Sequence, residues 1–168
     1  GDNPAVRDQI FTLKKTGLYD IITKYNVKIL DQNNTTVIKT NDYKLYQSFE
    51  VSSEMVNSDL VINLPKMKTH TLAYVTLAEK NFFGLIYGLN KSSWHAKASN
   101  PNDFGEALND LYKAYIDSRN DKPILSICDG IEGLEGDGPS TGGVKTKGKC
   151  ILASLDAVSL DRIGVEIM

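Results

Sequence analysis

Two short apolar segments constrain the fold of this chain more than any other feature. "DLVINLP" covers residues 59–65 and "KPILSICDG" covers residues 122–130, and each reads as a buried strand. Between them lies an apolar stripe at helical spacing, formed by Phe104, Ala107, Leu108, Leu111 and Tyr115. Because helices alternate with apolar strands, the sequence predicts an α/β fold with a mixed, mostly parallel sheet flanked by helices.

The length of 168 residues predicts a single α/β domain over residues 1–168. The chain opens without Met and closes on "RIGVEIM", which reads as the inside of a helix, so we expect a fragment of a longer protein. A net charge of −2 provides no positive field for a nucleic-acid partner.

No apolar run reaches the roughly 18–20 residues of a membrane span, and no leader is visible. The two cysteines, Cys128 and Cys150, form no CxxC motif, which argues against a disulfide framework or a zinc site. We therefore expect a cytoplasmic protein without a membrane partner.

Basic side chains follow the first apolar strand at every second position. Lys66, Lys68 and His70 would point the same way on an extended segment, at the strand end where open α/β sheets bind ligands. Lysine offers charge to a phosphate or carboxylate, and histidine exchanges a proton near neutral pH. The alternative is an ordinary basic loop in water.

Two further polar pairs lie beside aromatic residues. Lys80 and Asn81 precede Phe82 and Phe83, which would lower the pKa of a partly desolvated Lys80. Asn81 would orient a carbonyl or amide group of a ligand. The alternative is a helix end from which Lys80 extends to water.

His95 follows Trp94 in a polar stretch that reads as a loop, and this pair suits a lid over a ligand. The alternative is that Trp94 only pins the loop to the body of the protein.

A glycine-rich acidic segment follows the second apolar strand, from Asp129 to Gly143. Its backbone N–H groups can form an anion nest, or its carboxylates can hold a hard cation. The alternative is a mobile acidic surface loop. Further on, Asp161 sits between apolar positions of the last helix and needs a partner, for which we expect Lys80 or the glycine-rich segment.

Four motifs in order, "VINLPKMKTH", "TLAEKNFFG", "DGIEGLEGDGPSTGG" and "ILASLDAVSLD", together resemble the domain-of-unknown-function family numbered 362. Ser159 departs from the alanine that is usual there. The resemblance implies association with iron–sulfur proteins, through a ferredoxin-like module in cis or in trans. Any iron–sulfur cluster would lie outside residues 1–168, because Cys128 and Cys150 do not resemble cluster ligands.

These features favour a domain that binds an anionic small molecule or cofactor beside an iron–sulfur electron carrier. The candidate catalytic residues are His70, Lys80, His95 and Asp129. The candidate ligand-binding residues are Lys66, Lys68, Asn81, Glu135, Gly136, Gly138 and Asp161. No metal ligand is assigned. Two alternatives stay open: a non-enzymatic docking or scaffold domain, and a metal-dependent hydrolase that uses His70, His95 and Asp129.

Overall fold

The computed structural model describes residues 8–30, 33–87, 89–138 and 142–168. Its helices are α1 (Gln9–Lys15), α2 (Leu18–Lys24), α3 (Ser53–Asn57), α4 (Ala78–Asn81), α5 (Leu89–Lys97), α6 (Pro101–Ser118) and α7 (Ala157–Ile167). A 3₁₀ helix, Phe82–Leu85, follows α4 directly. The strands are β1 (Thr35–Lys39), β2 (Ser48–Ser52), β3 (Val61–Asn63), β4 (Lys66–His70), β5 (Tyr74–Thr76), β6 (Ile124–Asp137), β7 (Gly142–Thr146) and β8 (Cys150–Ser154).

The main sheet is built around β6. On one side β3 and then β4 run parallel to it. The pairs Val61–Ile124 and Lys66–Asp129 have the same register, which shifts between Lys66 and Lys68 of β4. On the other side β8 and β7 pair with β6 in antiparallel fashion, and β5 pairs with the outer side of β4. The predicted α/β fold, with a mixed sheet flanked by helices, is confirmed.

Helices cover one face of this sheet. Their buried side chains include Leu77, Phe82, Phe104, Leu111 and Tyr115. The small antiparallel sheet of β1 and β2 packs against α6. Helix α6 begins after Asn100, whose side chain accepts the Asp103 N–H at 3.0 Å.

The opposite face of the main sheet exposes apolar side chains. Its large exposed members are Ile62, Leu64, Ile131, Ile151 and Leu155. They alternate with buried neighbours such as Val61 and Cys128, as the two-residue period of a strand requires. Among the described residues, no helix is both long and apolar enough to cross a membrane.

Two sequence interpretations of local structure were wrong. The segment around Trp94 is helix α5, in which the Trp94 ring packs 4.9 Å from Phe49 and so pins the helix to the body of the protein. The glycine-rich segment is largely a β-hairpin, because β6 continues to Asp137 and pairs with β7.

Glycine is required where this hairpin meets β4. A Cβ added to Gly138 would lie 2.1 Å from the Thr69 carbonyl oxygen, which neither backbone can accommodate without moving. We therefore expect Gly138→Ala to lower the free energy of unfolding by about 1–3 kcal/mol, measured by urea denaturation. Gly105→Ala is the matched control, since a Cβ there meets nothing within 4 Å in the interior of α6. It should raise stability by about 0.5–1 kcal/mol, and equal losses in both variants would contradict this packing.

Candidate functional site

Helix α4 owes its position to Asp161 of α7. The two carboxylate oxygens of Asp161 accept the N–H groups of Ala78 at 2.6 Å and Glu79 at 2.9 Å, which are unpaired donors at the start of the helix. Burial raises the pKa of Asp161 to about 6, although the two backbone hydrogen bonds oppose that rise. Asp161 therefore caps the helix that carries Lys80. The expected pairing of Asp161 with Lys80 itself or with the glycine-rich segment was wrong, because the unpaired N–H groups at the start of α4 take both carboxylate oxygens.

The Lys80 ammonium lies beside aromatic faces. Its Nζ is 5.5 Å from the centroid of the Phe83 ring and 5.8 Å from that of Phe104. Burial lowers the pKa of Lys80 to about 8, and the charges of Lys91 and Lys68 lower it further. Within the described residues, no carboxylate lies within salt-bridge distance of Lys80 or Lys68.

His70 lies against the same Phe104 ring as Lys80. The two rings of His70 and Phe104 are stacked at 10°, with centroids 6.5 Å apart. The Nδ1 atom of His70 accepts the N–H groups of Leu72 at 3.0 Å and Ala73 at 3.1 Å. In the neutral ring the proton is therefore on Nε2. We call Lys68, His70, Lys80, Lys91 and Phe104 the Lys80 cluster.

Lys66 and Asp129 form a separate pair. They face each other in register on β4 and β6, and the Lys66 Nζ donates to Asp129 Oδ2 at 2.8 Å. Asp129 Oδ1 accepts the Ile131 N–H at 3.0 Å. The hydrogen bond from Lys66 holds the pKa of Asp129 below its ordinary value. The charges of these two predicted site residues thus compensate each other, and neither joins the Lys80 cluster.

Asn81 follows Lys80 in sequence but makes its hydrogen bond to the main sheet and not to the Lys80 cluster. Its Nδ2 donates to Asn63 Oδ1 at 2.6 Å, and the buried Asn63 side chain in turn donates to Ser126 Oγ at 3.1 Å. Asn63 and Asn81 line a cleft of about 330 Å³ beside Leu18. Asn81 therefore ties α4 to the sheet and faces this cleft.

The predicted residues of the glycine-rich segment lie in the β6–β7 hairpin. Glu135 is exposed and opposes Val144, and Gly136 has a left-handed backbone with φ of +82° opposite Gly143. Gly138 packs beneath Thr69, the residue between Lys68 and His70. The close approach of two strands explains Gly138. Residues 139–141, the tip of the predicted anion nest, lie outside the described residues.

His95 lies in α5, and its side chain is outside the described part of the chain. Among the side chains that are described, no group of three His, Cys, Asp or Glu residues is arranged to hold a metal ion. Asp129 is held by Lys66 and lies apart from the Lys80 cluster, so the described geometry does not unite the proposed hydrolase residues.

Several residues of the site were missed by sequence reasoning. Lys91 was read as part of a polar loop, and Phe104 was counted only as core. Glu79 was not considered, although burial and the nearby charge of Asp161 raise its pKa to about 7. Glu79 also lines an open groove of about 550 Å³ with Lys44 and Glu106. In the sequence, the position of Glu79 and Lys80 just before two Phe residues was the feature that could have indicated two partly desolvated charged groups.

Fold and site together define an α/β domain with a partly buried lysine at the end of a short helix beside β4. The chain belongs to the family described as Domain of unknown function (DUF362), whose model matches residues 1–166. A curated relative, the thylakoid-associated protein sll1697 of Synechocystis sp. (strain ATCC 27184 / PCC 6803 / Kazusa), is 32% identical over 169 residues. This alignment covers 100% of the chain and 50% of the relative, so the chain spans about half the length of that protein. No solved structure matches.

Proposed function

We propose that this domain binds an anionic small molecule at the Lys80 cluster. The observation that carries the proposal is the half-buried Lys80 amine, which lies near two Phe rings and near the charges of Lys68 and Lys91. Among the described residues it has no carboxylate partner within salt-bridge distance. Bringing like charges together away from water costs free energy, and a bound anion would offset that cost. Perturbed pKa values of this kind cluster at functional sites.

Lys80→Gln is expected to weaken the binding of phosphate or a dicarboxylate probe about 10- to 100-fold, the range for losing a charged hydrogen bond. Isothermal titration calorimetry at pH 7 measures this change. Because the pKa of Lys80 is about 8, affinity in the unmodified protein should fall as the pH rises from 7 to 9. Above that pKa the amine loses the charge that attracts the anion.

Lys66→Gln is the matched control for this titration. Lys66 lies on the same strand as Lys68 but is already paired with Asp129. Its loss should change the dissociation constant less than threefold. Equal weakening by the two variants, or undiminished binding by Lys80→Gln, would overturn the proposed site.

His70 is the group that we propose for proton exchange with the bound molecule. Its ring is held by two backbone N–H groups at Nδ1, so Nε2 is the atom for that exchange. His70→Asn keeps an acceptor near the Nδ1 position and removes the titrating group. It should preserve stability better than His70→Ala, and proton exchange coupled to ligand binding, measured by calorimetry in buffers of different ionisation enthalpy, should disappear.

The iron–sulfur partner also stays a proposal. It is supported by the length of the curated relative, which has about as much sequence again outside the matched half. Burial raises the pKa of Cys128 to about 11, which disfavours the thiolate that a cluster needs. Iron and sulfide analysis of a full-length protein that contains this chain should find a cluster that persists in Cys128→Ser. Loss of iron in that variant would place the cluster in this domain instead.

The cytoplasmic location of the protein stays a prediction.

A docking role is the second candidate, favoured by the uncovered apolar sheet face. Sheets with parallel pairing are normally covered on both faces. We propose that the part of a full-length protein beyond this domain, the expected iron–sulfur module, packs on Ile62, Ile131 and Ile151.

The docking role predicts slow modification of that face in a full-length protein. In a Cys150→Ser background, Ile151→Cys should react with a maleimide at least tenfold more slowly than Val37→Cys. The side chains at positions 151 and 37 are similarly exposed, at 63% and 60%, but Val37 lies on the separate sheet. Equal rates would exclude coverage of this face.

A further inference from the structure

We propose that Lys80 is a nucleophilic amine that forms an imine with an anionic aldehyde or 2-oxo acid. The inference rests on the proposed anion site and names its substrate class: a small molecule that carries both a negative group and a carbonyl carbon. The proposal is carried by the arrangement of charged and aromatic groups around the Lys80 Nζ.

Two Phe rings lie beside the Lys80 amine, which is partly buried. Phe83 comes from the 3₁₀ helix after α4 and Phe104 from α6, and both ring centroids lie within 6 Å of the Nζ. A partly buried ammonium loses hydration and is repelled by the nearby charges of Lys91 and Lys68, so the neutral amine is favoured. Desolvation in an apolar pocket and a neighbouring cation are two established ways to make a lysine nucleophilic.

The charged groups on the packed elements divide into two sets. The charges of Lys91 of α5 and Lys68 of β4 lower the pKa of Lys80, and His70 stacks on Phe104, whose ring also lies near the Lys80 Nζ. The charges of Asp161 of α7, of its capping residue Asp156 and of Glu106 of α6 act on Glu79 instead. None of these carboxylates lies within 4 Å of the Lys80 Nζ.

The pKa of about 8 agrees with this geometry. At pH 7 about a tenth of the Lys80 amines would be neutral, against fewer than about one in a thousand for a lysine with an ordinary pKa. The nucleophilic form is therefore populated at neutral pH. Lys68, which makes no described salt bridge, is positioned to attract the negative group of the substrate.

The condensation needs no oxidant and no cofactor. The Lys80 nitrogen lone pair attacks the carbonyl carbon, a C–N bond forms, and the carbonyl oxygen takes up the proton that nitrogen releases. The resulting carbinolamine then loses its hydroxyl as water, for which His70 supplies a proton from the same aromatic wall. The nitrogen lone pair forms the C=N bond, and the protonated imine returns its N–H proton to His70, so the net products are the neutral imine and one water molecule.

Reductive trapping tests this assignment. The protein is incubated with glyoxylate and sodium cyanoborohydride, digested, and analysed by mass spectrometry for carboxymethylated lysines. Lys145 on β7 is the internal control, because it is exposed and makes no described salt bridge. Modification at Lys80 should be at least tenfold faster than at Lys145 at pH 7, and excess phosphate should slow only the Lys80 reaction.

The outcomes separate this proposal from the anion site itself. If Lys80 reacts no faster than Lys145 while phosphate still binds in a Lys80-dependent way, the imine assignment is wrong and the anion site stands. If phosphate neither binds nor protects and Lys80 shows no preference, both proposals fail. The comparison of Lys80 with Lys145 is made within the unmodified protein, so the trapping result itself does not depend on a variant that folds.

Discussion

Replacing Asp110 by Ala is expected to lower the free energy of unfolding by about 3–5 kcal/mol, measured by urea denaturation at pH 7. Asp110 lies on α6 with no exposed surface. Its carboxylate accepts three consecutive N–H groups, those of Lys44 at 2.9 Å, Leu45 at 2.8 Å and Tyr46 at 2.9 Å. Removing it leaves those donors without their acceptor and frees the connection between β1 and β2.

Two companion variants define this effect. Asp110→Asn keeps one acceptor oxygen and should lose less stability than the alanine variant. Asp59→Ala should cost less than about 0.5 kcal/mol, because its side chain is fully exposed and its contact with Lys122 is 3.7 Å long. A loss in Asp110→Ala as small as that in Asp59→Ala would show that the buried carboxylate does not organise this connection.

The second large effect is a loss of stability as the pH rises. Burial raises the pKa of Glu79 from 4.5 to about 7 and that of Asp161 from 3.8 to about 6. Each raised carboxyl contributes stability that is fully present below its unfolded pKa and is lost as the pH passes its folded pKa. The free energy of unfolding should therefore fall by about 2–3 kcal/mol for Glu79 alone between pH 4.5 and pH 8.

Glu79→Gln should flatten this pH profile, since the amide carries no charge to desolvate. Urea denaturation at several pH values from 4.5 to 8 measures the slope. Glu132→Gln, on an exposed part of β6, is the control and should leave the slope unchanged. If the Glu79→Gln protein keeps the full pH dependence of stability, groups other than Glu79 cause that dependence.

The main sheet was predictable because two of its strands are short apolar segments that can be recognised in the sequence. The two apolar segments at residues 59–65 and 122–130 became β3 and the start of β6, and they pair in parallel. The hairpin of β6 and β7 was not predictable, since its glycines read as a loop. They are needed because a Cβ on Gly143 would lie 2.5 Å from the Leu134 side chain, and such a contact depends on strand pairing.

The sequence predicted which types of residue form the candidate site better than it predicted which of them lie together. His70 and Lys80 both lie against Phe104, and the charge of Lys68 acts on Lys80, as the position of these residues beside an apolar strand suggested. Asn81 faces elsewhere because adjacent helical residues point about 100° apart. Lys66 is paired with Asp129 by a strand register that no local pattern reveals.

The central claim, a desolvated Lys80 amine that receives an anion, is tested most directly by its own titration. The lysines are labelled by reductive ¹³C-methylation, and their NMR signals are followed as the pH is raised. The Lys80 signal is assigned as the one that is missing in Lys80→Arg. The account predicts a Lys80 pKa near 8 in the free protein, and a higher pKa in saturating phosphate because a bound anion favours the charged amine. A Lys80 resonance that titrates with the exposed lysines and does not respond to phosphate would contradict it.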